Sequence, residues 1–220
     1  ELGLPVGLAN SPANGGRVEV RAAGDVTITG NRLLFGLDSG IQARGGGPAT
    51  TATPPLTTLR DVPDISVEAG GTLTVSGLNA TVHSERFVQG TASPVSFGNV
   101  AIKADRVEVL GGGEISATNR FSGKGGDLTV NAREIVLDGV NTAQVLLTGG
   151  FTGLTTQSNF HPLYLSSPGL LTDARLTNGQ AGTLMVSGDT LTIKRGANIT
   201  ADNGGFGKAG DITINVRDLF

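Results

Sequence analysis

The chain has 220 residues, enough for one sizeable core, with a net charge of −3 and only 16% charged residues. A faintly acidic chain without basic clusters excludes nucleic acid as the main partner. The absence of cysteine excludes disulfide staples, thiolate metal sites and cysteine nucleophiles, and no apolar run is long enough for a membrane-spanning helix.

Thirty-five glycines, nine prolines and 4% aromatic residues are the composition of many short strands joined by tight turns. Residues 1–15 read as a leading segment or cap, with Leu2, Leu4, Val6 and Leu8 spaced by Gly and Pro. A repeat then begins. Its clearest copies are Gly123-Lys-Gly-Gly-Asp-Leu-Thr-Val-Asn-Ala-Arg-Glu-Ile135 and Gly207-Lys-Ala-Gly-Asp-Ile-Thr-Ile-Asn-Val-Arg-Asp-Leu219. Aligned on the Gly at the fourth position of that motif, the repeat domain 16–220 has starts near 16, 71, 98, 126, 182 and 210. The spacing is 27–28 residues or about twice that.

Two and four positions after each start stand aliphatic residues, from Val18 and Val20 through Leu73 and Val75 to Ile212 and Ile214. Polar residues alternate with them in most repeats, so each repeat opens with a half-buried strand. A second strand follows, with Val26 and Ile28, Ala80 and Val82, Val107 and Val109, Ile135 and Leu137, and Leu191 and Ile193 as inward pairs. A third follows a Gly-rich turn, as in Gly40–Ala43, Gly113–Ala117 and Gly196–Ala201, with Val145–Leu147 in the long fourth repeat. One such unit cannot bury its own aliphatic residues, so successive units must stack. The expectation is an all-β, right-handed parallel β-helix with three strands per coil, about 28 residues per coil and five to six coils. At about 4.8 Å per row the stack is roughly 25–30 Å long.

Two spacings are double. They hold insertions at about 45–66 and 149–180, leaving from one turn of the coil, or else an extra degenerate coil each; the insertion reading is preferred.

The search for chemistry yields little. Twelve Asp residues are scattered; Asp127 and Asp211 share a motif position beside Gly, where Asp caps its own backbone. No local motif pairs two carboxylates for acid–base work, so no catalytic residue is assigned and an enzyme is not expected. His83 and His161 lack a second ligand at metal spacing and read as loop histidines. Gly125-Gly-Asp127 has the wrong spacing and period for a calcium-binding nonapeptide, so neither a metal nor a cofactor is expected. The second insertion carries Phe151, Phe160, His161, Tyr164 and Leu165. These either form a contact surface for a partner or lie down on the flank of the stack.

The repeat unit, Gly-[Lys/Gln]-[Gly/Ala]-Gly-[Asp/Thr]-[Leu/Ile]-x-[Val/Ile] followed by Gly-[Gly/Ala]-x-Ile-[Ser/Thr]-Ala, resembles the repeats of filamentous-haemagglutinin-like large exoproteins of the cyanobacterial type. The best matches are Gly123–Leu137 with Gly112–Ala117, and Gly182–Ala201 with Gly207–Leu219. The resemblance implies two-partner secretion through an outer-membrane β-barrel transporter, location outside the cell or on its surface, and a structural or adhesive role. The implied partners are other copies of the chain or surface glycans and proteins. Asn10-Ser-Pro-Ala-Asn-Gly15 does not match the Asn-Pro-Asn-type motif of the family's secretion domain, so the chain is expected to be an excerpt from beyond that domain. Two alternatives stand beside the adhesive reading: a self-assembling subunit of an extracellular filament or sheet, and a β-helical polysaccharide lyase or hydrolase.

Overall fold

The computed structural model describes residues 17–30, 39–45, 63–77, 80–86, 98–119, 124–139, 153–158, 180–203 and 207–220. Among these residues the regular structure is all β. Thirteen strands run in chain order: β1 Arg17–Ala22, β2 Val26–Thr29, β3 Ser39–Gly45, β4 Asp64–Ala69, β5 Thr72–Ser76, β6 Ala80–Arg86 and β7 Val100–Leu110. They continue as β8 Glu114–Asn119, β9 Leu128–Asp138, β10 Gly153–Ser158, β11 Leu184–Lys194, β12 Asn198–Asn203 and β13 Ile212–Leu219.

The strands form two sheets in which every pairing is parallel. The eight-stranded sheet has the order β1-β4-β7-β9-β11-β13, with β2 and β5 continuing it beside the second half of β7. The five-stranded sheet has the order β12-β10-β8-β6-β3. Each pass of the chain adds one row to the larger sheet, and each of the first five adds one to the smaller. That arrangement is consistent with a parallel β-helix.

Alternating aliphatic residues explain why these segments are strands, and the register explains why they stack. Val18, Ile65, Val100, Leu128, Leu184 and Ile212 are successive partners along one row. Val26, Leu73, Val107, Ile135, Leu191 and Leu219 form a second. Ile41, Val82, Ile115, Leu154 and Ile199 form a third on the smaller sheet. The middle members of all three rows are fully buried. Burying a Val, Leu or Ile side chain stabilises a fold by about 1.5–3 kcal/mol, and no row reaches that burial without its neighbours.

The register departs from the sequence alignment in the second pass. Leu73 and Val75 pair with Val26 and Ile28 on one side and with Val107 and Val109 on the other, so they belong to the second-strand rows. The first strand of that pass is β4, with Ile65 and Val67 buried, and Ala80 and Val82 stand in the smaller sheet. The pass therefore opens near Asp64 rather than Gly71. In the fourth pass the third strand is β10, whose Leu154 stacks between Ile115 and Ile199; Val145–Leu147 lies outside the described residues. β10 thus falls within the range 149–180 expected to be inserted, and chain is added on both sides of it. β9 and β11 are direct neighbours, as are β1 and β4, so no row intervenes at either double spacing.

Candidate functional site

The start glycines form a corner of the stack. A Cβ built on Gly126 would lie 2.0 Å from the Gly98 carbonyl oxygen, one on Gly182 2.0 Å from that of Gly126, and one on Gly210 1.9 Å from that of Gly182. Glycine is required here by close backbone approach. Beside it runs a ladder of side-chain acceptors. The Asn99 N–H donates to Asp64 Oδ1 at 2.6 Å, the Asp127 N–H to Asn99 Oδ1 at 2.9 Å, and the Thr183 N–H to Asp127 Oδ1 at 2.8 Å. Asp127 therefore satisfies the backbone of the next row rather than its own, which corrects the local capping expected from sequence. Thr72 N–H donating to Asp25 Oδ1 at 2.7 Å repeats the device at another corner.

The outward face of the larger sheet carries charges in alternation. Arg21, Glu68 and Lys103 are successive partners, with Glu68 and Lys103 2.8 Å apart. Asp105, Arg133, Asp189 and Arg217 occupy one further row position, and their sign alternates from pass to pass. Arg133 grips Asp105 with two hydrogen bonds of 2.9 Å, and Arg217 approaches Asp189 at 3.8 Å. Arg106 pairs with both Glu108 and Glu134. The hydrogen bond from Lys103, then its charge and that of Arg21, holds Glu68 below the usual carboxylate range. The hydrogen bonds from Arg133 do the same for Asp105.

Between these rows lies an open groove of about 460 Å³, rimmed by Arg21, Glu68, Lys103 and Asp105 and floored by Ala22, Ala69 and Ala104. The rim charges already neutralise one another or a neighbour, and among the described residues no aromatic ring lines the groove for a sugar or base to stack on. The arrangement suits holding rows in register better than seizing a charged ligand.

At the other end of β11, Arg195 donates to Asp138 from Nε at 2.6 Å and from a terminal nitrogen at 2.7 Å, while Lys194 stands 3.4 Å away. The Arg195 hydrogen bonds chiefly, against the opposing effect of burial and with help from Lys194, lower the Asp138 pKa. Arg195 sits at φ 52°, where a non-glycine residue is uncommon, and its counterpart in the third pass is Gly111, at φ 56°.

His83 is not in a loop. It stands in β6, buried, with Nδ1 2.6 Å from Ser116 Oγ of β8. Ser116 is fully buried, so the pair has no substrate access and is a packed polar contact rather than a nucleophile and base. Among the described residues no group of three or more His, Asp or Glu could hold a metal ion. Phe151, Phe160, His161, Tyr164 and Leu165 lie outside the described residues.

The charge ladders were missed in sequence. Their signal is the residue seven positions after the starts at 98, 126, 182 and 210, which reads Asp105, Arg133, Asp189, Arg217. Comparison with known protein families, with characterised proteins and with solved structures finds no match to this chain.

Proposed function

We propose that the chain is a right-handed parallel β-helix, three strands to a coil of about 28 residues, that serves as a stiff structural and adhesive segment of a secreted, cell-surface exoprotein. Its mechanism is mechanical. Each row is fixed to the next by aliphatic stacking, by the Asp64–Asn99–Asp127–Thr183 hydrogen-bond ladder and by lateral ion pairs. The observation that carries the reading is the outward charge alternation, in which acids and bases, those rimming the open groove included, are engaged with one another along and between rows. The repeat's resemblance to filamentous-haemagglutinin-like exoproteins supports the secreted location and passage through an outer-membrane β-barrel. Contact with a surface glycan or protein is assigned to the segments flanking β10, which carry Phe151, Phe160, His161, Tyr164 and Leu165.

The test is binding of the chain to arrayed glycans and to intact cells, beside a variant with Phe151, Phe160, Tyr164 and Leu165 all changed to Ser. Saturable binding, reduced about tenfold or more in the variant while β-sheet content is retained, is expected. Equal binding by both proteins refutes the assignment of the contact to these residues. Absence of binding to every surface refutes the adhesive role.

A further inference from the structure

We propose that the outward polar ladders fix the order in which the passes stack, by setting like charge against like whenever the second, third or fourth pass is left out. The inference concerns folding and does not rest on the adhesive reading. It starts from what the core leaves undecided. With the fourth pass omitted, β11 would lie on β7, and Leu184, Val186, Leu191 and Ile193 would meet Val100, Ile102, Val107 and Val109. On the smaller sheet Ile199 and Ala201 would meet Ile115 and Ala117. Aliphatic residues face aliphatic residues throughout, so the pattern of the buried rows does not tell the wrong neighbour from the right one.

The polar rows do tell them apart. Arg133 stands between Asp105 and Asp189, and it grips Asp105 through two hydrogen bonds of 2.9 Å. Omitting the fourth pass takes Arg133 out of the row and sets Asp189 against Asp105. Omitting the second pass takes out Glu68, which stands between Arg21 and Lys103 and holds Lys103 at 2.8 Å. The two cations then meet. Omitting the third pass takes out Asn99, whose N–H donates to Asp64 and whose Oδ1 accepts from the Asp127 N–H. Asp127 then meets Asp64. Three passes are thus guarded by three different ladders. Like charges directly opposite one another destabilise strand pairing about as much as opposite charges stabilise it.

A stack that leaves out a pass also forfeits that pass's burial, so the native order wins at equilibrium without help. The ladders act earlier, while an arriving row can reach a row whose own neighbour has not yet docked. Misassembly of this kind is a characteristic failure of repeat proteins, and a repulsive contact aimed at one rival is how a sequence refuses it. Exposed ion pairs add little to final stability, but a choice between two otherwise equal rows is decided by small differences.

The chain has no cysteine, so paired thiols can report which rows are neighbours. Ala101, Thr129 and Met185 are successive partners in one outward row. Thiols from Ala101→Cys and Met185→Cys stand about 9.6 Å apart in the native stack, beyond disulfide reach, and about 4.8 Å apart when β11 lies on β7. Thr129→Cys with Met185→Cys reports the native order. Each pair is placed in the 220-residue chain, which is refolded from urea and oxidised at early times. With the native ladder the link between positions 101 and 185 should be scarce. Asp105→Arg with Arg133→Asp keeps that pair attractive, sets an acid at 133 against Asp189, and offers Asp189 a base at 105. The 101–185 link should then rise about tenfold. Adding Asp189→Arg and Arg217→Asp restores the alternation with every sign inverted, and should return the link to within about twofold of the native ladder. In 1 M salt, where the screening length is about 3 Å, the native and exchanged ladders should differ by less than about threefold.

A second exchange keeps the proposal decidable if the first abolishes the 129–185 link and with it the fold. Arg21→Glu with Glu68→Arg does the same at the second pass, read by Glu19→Cys with Ala101→Cys, which are two rows apart. Its 19–101 link should rise about tenfold as well. A 101–185 link as frequent in the native ladder as in the exchanged one, a fully inverted ladder that mis-stacks like the exchanged one, or no rise of the 19–101 link would each overturn the proposal.

Discussion

Replacing Gly126 by Ala tests the backbone-on-backbone corner directly. The new Cβ would stand 2.0 Å from the Gly98 oxygen, where ordinary contact begins near 3.4 Å. The two rows must therefore part locally by about 1.4 Å. The obstacle is backbone, so no side chain can swing aside. Two hydrogen bonds of 2.9 Å cross the same junction, Val100 N–H to Asp127 carbonyl and Asp127 N–H to Asn99 Oδ1. Stretched by that amount, both pass beyond hydrogen-bond range. Losing them costs about 1–3 kcal/mol together, and residual overpacking adds about 1–3 kcal/mol. A total near 3 kcal/mol is a large share of the roughly 5–15 kcal/mol that holds a typical domain. In urea denaturation followed by circular dichroism, the midpoint should fall by about 1 M. The control is Gly24→Ala, where a Cβ meets nothing within 4 Å; its midpoint should hold or rise slightly. If Gly126→Ala unfolds within about 0.5 kcal/mol of the wild type, the close stacking of the corner glycines is wrong.

Three further outcomes follow from the same rows. Asp127→Ala should destabilise by about 1–2 kcal/mol, because the Thr183 N–H loses its acceptor, while Asp127→Asn keeps an Oδ1 and should lie near wild type; thermal unfolding separates the two. Leu137→Ala, fully buried, should cost about 2–5 kcal/mol in urea melts. Asp138 has a folded-state pKa lowered by Arg195. It therefore contributes stability above its unfolded pKa of about 3.9, a contribution lost as pH falls through the lower folded value. Asp138→Asn should remove part of the acid-side slope of stability below about pH 4, measured by urea titration at each pH, and should leave the slope above pH 5 unchanged.

Much of this structure is legible in sequence because its rows are written in alternating aliphatic residues. Val100 and Ile102, Leu128 and Val130, and Leu184 and Val186 fall where the repeat puts them. The slip at Gly71 has a physical cause. All three strand types of a pass share the same alternation, so periodicity fixes that a segment is a strand and not which sheet it joins. Gly71 followed by Leu73 and Val75 mimics a start, whereas the true start at Asp64 follows Pro63 and lacks the glycine. β10 was legible after all: Gly153-Leu-Thr-Thr reads like Gly113-Glu-Ile-Ser shifted by one residue. The charge ladder Asp105–Arg133–Asp189–Arg217 needs the register before it can be seen, since sign alternation between residues 28 or 56 apart has no local signature. The buried contact of His83 with Ser116 joins β6 to β8 and likewise depends on strand assignment.

The adjacency of β9 and β11 has an engineering meaning. Leu128 and Leu184 are neighbours in the sheet although 56 residues apart, and Val100 and Leu128 are equally neighbours at 28. Doubling the length of a loop adds only about 0.6 kcal/mol of closure entropy, little beside what one fully stacked row contributes. The rows therefore behave as docking slots indifferent to how much polypeptide runs between them. A foreign peptide spliced into the connection after β8 should be carried as cargo on an unchanged frame, which makes this chain a display scaffold by construction.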